Sequence, residues 1–200
     1  MSCHPHTIND TKKDRNIETM ITPSFYPMIR MPDTVRTWII PISLMMFFFF
    51  LPLQCFIIGD NLGLGVQGAI YRYQITGSGN SLIPITYEIG YVASGLYQEK
   101  TAFSVILWVS GTLVLVCTLI HSLIHMGQVN DRLLRLIIEG IGVSCILYLA
   151  SLVVQYGIFF SGPAGISLPA GILLMALFAG FMHHYWNSFT NTNLPTKITE

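Results

Sequence analysis

Residues Trp38 to Ile58 read WIIPISLMMFFFFLPLQCFII, without one Asp, Glu, Lys or Arg. A helix rises about 1.5 Å per residue, so a run of this length covers the roughly 30 Å of a bilayer's hydrocarbon core. It is expected to form a first transmembrane helix, bent at Pro41 and Pro52, where proline withholds a backbone donor. The 37 residues before it and its own length exceed the dimensions of a cleavable signal peptide, so it reads as a retained signal anchor.

Three further runs meet the same standard: Ala102 to His125, Leu133 to Phe160 and Ile166 to Trp186. Charged residues make up 10% of the chain and hydrophobic ones 52%, against about a quarter charged in ordinary soluble domains. Lipid is the solvent that suits this composition. The expected fold class is an all-α membrane protein, a four-transmembrane-helix antiparallel bundle. Between the spans lie a flexible polar segment 1–37, an outer loop 59–101, a cytoplasmic turn 126–132, an outer turn 161–165 and a tail 187–200. The short turns make the last three spans neighbours. Gly140 with Ser144, and Ala176 with Gly180, let backbones approach closely.

Lys and Arg concentrate on cytoplasmic flanks. Lys12, Lys13, Arg15, Arg30, Arg36, Arg132, Arg135 and Lys197 fall on one side, and Arg72 and Lys100 on the other. The expected location is the cell membrane, multi-pass, with both termini cytoplasmic.

The outer loop carries a second kind of pattern. Ala69 to Ile75 places Tyr71, Tyr73 and Ile75 opposite Arg72 and Gln74, and Ile83 to Val92 places Ile83, Ile85, Tyr87, Ile89 and Tyr91 opposite Thr86, Glu88 and Gly90. Period two indicates strands, and Thr76 to Ser81 supplies turn chemistry. A small extracellular β-hairpin over 69–92 is expected, with one aromatic and aliphatic face. Arg72 and Glu88 would share the opposite face, where they can pair. A lone hairpin is marginal in water, so the apolar face calls for a cover.

At the cytoplasmic rim, His121 and His125 stand four residues apart on one helix face, His183 and His184 lie near the inner end of the last span, and Glu139 sits about 9 Å into the third. Imidazoles from two helices with a carboxylate suit zinc or non-haem iron, and two facing imidazoles suit haem. No HExxH is present, because position 122 is serine. The competing reading is an interfacial belt of His, Tyr185 and Trp186, with Arg135 and Glu139 as an ordinary i, i+4 pair.

Other features exclude more than they suggest. Ten basic and ten acidic residues cancel, which leaves no basic field for nucleic acid. Cys3, Cys55, Cys117 and Cys145 form no CxxC pair, so neither a disulfide framework nor a structural zinc site is expected. Gly63, Gly65 and Gly68 match the letters of GxGxxG, but a predicted strand follows them where a dinucleotide fingerprint needs a helix.

The layout of four spans, inner termini and a β-containing first outer loop resembles the claudin-type tetraspan plan. Residues 59–101 contain neither Trp nor Cys, so no residue role is carried over. The expected function is that of a structural or interaction module, with the outer hairpin making contact with a second copy or with another membrane or extracellular protein, and with no cofactor. The alternatives are a zinc-, iron- or haem-dependent membrane enzyme at the His/Glu rim, and an oligomeric channel or transporter subunit.

Overall fold

A computed structural model of the chain describes residues 33–59, 62–125, 131–162 and 164–192, with side chains placed for 38–59, 62–125, 132–162 and 164–184. The expected polar segment up to residue 32, the turn residues 126–130 and the tail from 193 lie outside the described residues.

The opening apolar run does not make one helix. Helix α1 spans Asp33–Phe49, and the last residues of the run form strand β1, Gln54–Ile58. Pro52 lacks an N–H and pushes Leu51 out of helical geometry. Beyond it the backbone finds partners on both sides. One is β2, Gly63–Gln67, and the other is β6, Gly165–Leu168, at the start of what read as the fourth span. Pro169 has the same effect on Leu168 before helix α5 begins at Ala170.

Strands β3 (Tyr71–Thr76), β4 (Gly79–Pro84) and β5 (Ser161–Gly162) complete a sheet of order β4-β3-β2-β1-β6-β5, antiparallel at every pairing. Among the described residues, five helices and a six-stranded sheet therefore replace the expected all-α, four-helix tetraspan bundle with its small hairpin. The layout behind the claudin-type resemblance changes accordingly.

The expected second strand, Ile83 to Val92, is also corrected. It ends at Pro84, and helix α2 runs from Ile85 to Ala93. Apolar residues at 85, 89 and 92 fit helical spacing as well as alternation does. Pro84, extended at φ −63 and ψ 151, occupies the cap position from which a helix can start.

Helices α3 (Glu99–Ile124) and α4 (Asp131–Tyr156) match two of the expected spans within a few residues. Among the described residues only these two are long and apolar enough to cross a membrane. Helix α1 and α5 (Ala170–Thr192) add the shorter apolar stretches Trp38–Phe49 and Ala170–His184.

The α3–α4 pair is antiparallel, and polar side chains join it at two levels. Ser104 and Ser151 bond reciprocally, each hydroxyl donating to the other's carbonyl at 3.0 and 2.8 Å. Thr112 meets the Tyr148 hydroxyl at 3.2 Å. Gly111 lies against Tyr148, and Gly140 against Thr118, so closely that a Cβ would collide. Close approach at Gly140 was foreseen, whereas Gly180 faces open space. Phe47 of α1 meets Phe178 of α5 edge to face at 5.1 Å, and Gly171 of α5 abuts the Pro52 carbonyl. Leu44, Trp108, Leu115, Ile141, Ile172 and Met175 form the most enclosed part of the core.

Candidate functional site

Strand pairing assigns each side chain to one of two sheet faces, because residues opposite one another across antiparallel strands point the same way. One face carries Leu82 on β4, Tyr73 and Ile75 on β3, Val66 and Leu64 on β2, Cys55 and Ile57 on β1, and Leu168 and Ile166 on β6. Every one of these is at least partly exposed, with Leu82 at 63%, Leu64 at 60% and Leu168 at 61%. Among the described strands this face bears no charged side chain, and its polar residues, Asn80 and Ser161, stand at the two edges. A groove of about 360 Å³, lined by Ile57, Leu62, Leu64 and Ile75 with Gly63 and Gly77, opens along it.

The opposite face is turned toward the helices and is polar. Ser167 donates to Gln54 Oε1 at 2.7 Å, Gln54 Nε2 donates to Gln67 Oε1 at 2.5 Å, and Arg72 Nη2 donates to the same oxygen at 3.1 Å. Arg72 Nη1 then pairs with Glu88 Oε1 at 3.0 Å. The guanidinium lies 5.7 Å from the Trp108 ring centroid and 6.0 Å from that of Phe56, within cation–π range. Trp108 donates from Nε1 to the Gly68 carbonyl at 3.1 Å, and Thr112 to the Ala69 carbonyl at 2.7 Å. Helix α3 thus holds the β2–β3 turn from below. Burial, followed by the Glu88 charge, pushes the Tyr97 phenol from 10.0 up to about 12.

The network explains the sheet's glycines. At Gly65 a side chain would run into the Phe56 ring and the Tyr73 carbonyl, so this position lets Phe56 lie across β2 beneath Arg72. The GxGxxG letters serve strand packing, in line with the doubt raised by their context.

The expected contact residues separate into three groups. Tyr71, Tyr73 and Ile75 share the outward face, Ile83 pairs with Arg72 and so belongs to the inward face, and Ile85, Tyr87, Ile89 and Tyr91 lie on α2. Arg72 and Glu88 do pair, but from a strand and a helix and with the Glu88 side chain fully buried. Sequence reading missed Ile57, Ile166 and Leu168, since β1 and β6 were assigned to spans, and Leu64, since the glycine-rich stretch of β2 was read as a turn. Pro52 and Pro169 were the signals that would have separated them.

His121 and His125 lie side by side on α3 with centroids 4.5 Å apart and rings tilted by 48°, Glu139 is exposed on α4, and His183 and His184 are exposed on α5. Among the described residues no three His, Cys, Asp or Glu side chains form a group able to hold a metal ion. Comparison with family models, curated proteins and solved structures finds no match to this chain.

Proposed function

We propose that this protein is a membrane-embedded interaction module that presents the outward sheet face to a protein partner. What carries the reading is that face: apolar and aromatic positions on five strands, uncharged and open. Monomeric soluble proteins rarely leave apolar patches beyond about 300–600 Å² uncovered.

Membrane embedding is supported by the helices. Ile42 and Met46 on α1, Leu113 and Ile120 on α3, Ile146 on α4 and Leu177 on α5 all point outward, where water would be costly and lipid is not. Arg132 and Arg135 flank the tip of the α3–α4 hairpin, which favours a cytoplasmic tip and a sheet on the opposite side. The metal and haem alternatives gain no support from the dispersed rim residues.

Crosslinking in native membranes tests the proposal. The wild type should yield a discrete higher-mass product, and Leu64→Glu with Leu168→Glu should abolish it while the chain remains resistant to alkaline extraction. A crosslinking pattern identical in the wild type and the double variant would contradict it.

A further inference from the structure

The outward face also constrains what can cover it. Lipid is a poor occupant: strands β4 and β5 are open edges, and unpaired backbone groups cannot be satisfied in hydrocarbon. A strongly charged partner is equally poor, because the face offers no ion to meet it. A second sheet presenting the same uncharged face satisfies both conditions, since its edges stay in water while its side chains interdigitate about 10 Å from the first.

We propose that the occupant is a second copy of this chain, stacked sheet to sheet about a twofold axis. This rests on the interaction-module reading above and names its partner. A twofold contact requires a surface that is its own complement, and this one combines projecting aliphatic side chains, Leu82 and Leu168, with a groove of about 360 Å³ beside Leu64 and Ile75. The exposed parts of Leu62, Leu64, Ile75, Leu82, Ile166 and Leu168 come to roughly 600 Å² per copy. The pair would bury about 1,200 Å², where specific interfaces begin.

Strands β1 and β2 are the middle two of six, and Cys55 stands on the outward face between Val66 and Leu168. It is a free, partly exposed thiol. An axis over the middle of the sheet would set the two Cys55 side chains opposite one another.

The test uses the purified full-length chain reconstituted alone into lipid nanodiscs, with the number of copies per disc read by native mass spectrometry. Two copies are expected for the wild type and one for Leu64→Glu, with circular dichroism unchanged because Leu64 already faces outward. Leu82→Lys, on a different strand, should act alike. A chain in which Cys55 is the sole thiol (Cys3→Ser, Cys117→Ser, Cys145→Ala) should crosslink to a dimer with a short bismaleimide, and Cys55→Ser should abolish that product. Single copies of the wild type at every loading, with or without bound lipid, would overturn the proposal, as would a dimer that survives both charge substitutions. If the wild type is single in nanodiscs yet its native-membrane complex is lost on Leu64→Glu, the second copy is ruled out and the contact surface stands. If neither assay responds, the contact surface falls as well.

Discussion

Arg72 of β3 and Glu88 of α2 are joined at 3.0 Å with the Glu88 side chain fully enclosed, so one ion pair fastens a helix beneath the sheet. Removing one member of a buried pair leaves the other uncompensated, which costs about 3–5 kcal/mol. Glu88→Gln and Arg72→Ala should each lower thermal stability in detergent by that order. Arg72→Met with Glu88→Leu should recover part of the loss, since no charge is left alone. Full stability of Glu88→Gln would show that the pair is dispensable.

The closeness of β2 to Phe56 makes Gly65 a sensitive position. A Cβ there would come 2.8 Å from the Tyr73 carbonyl oxygen and collide with the Phe56 ring. Gly65→Val should therefore destabilise by about 1–3 kcal/mol through overpacking. Combining it with Phe56→Ala should give less than the sum of the two single losses in thermal unfolding, because the shortened side chain removes one of the clashes.

These two relationships show what was legible in the sequence. The long charge-free runs at α3 and α4 announce themselves, because nothing but lipid or a large core suits them. Strand β3 follows from its alternation, and the Arg72–Glu88 pairing from their common polarity. Strands β1 and β6 were hidden inside apolar runs: Gln54–Ile58 is as hydrophobic as a helix end, and it becomes a strand by pairing with β2 on one side and with residues over a hundred positions away on the other. Helix α2 was hidden because residues 85–91 satisfy both periods, and the choice falls to Pro84 and to the burial of Glu88 against Arg72. The outward face is not visible in a reading by spans, since Cys55, Ile57, Ile166 and Leu168 lie on β1 and β6.

Within the helix pair, the Ser104–Ser151 exchange predicts a modest coupling. Interhelical hydrogen bonds of membrane proteins average about 0.6 kcal/mol and reach about 1.7. A double-mutant cycle with Ser104→Ala and Ser151→Ala, read by unfolding in detergent, should return a value in that range. Strict additivity would show that the two hydroxyls act independently.

Tyr97 supplies a pH dependence. Its pKa is raised from 10.0 to about 12, so the folded state holds the proton longer than the unfolded chain. The stabilising contribution is present below pH 10 and is lost as the pH rises through about 12. Tyrosinate absorbance of the folded protein should contain a component titrating near the upper end of that window, and Tyr97→Phe should remove it. Loss of a component near pH 10 in the variant instead would place Tyr97 in open water.

The claim that the outward sheet face is covered in the membrane is tested most directly by thiol labelling of native membranes. Leu64→Cys should react with a polar maleimide far more slowly than Gly90→Cys, which is exposed on α2 with open space around it. Adding Leu168→Glu should restore fast labelling at position 64. Equal rates at positions 64 and 90 without the added charge would contradict the account.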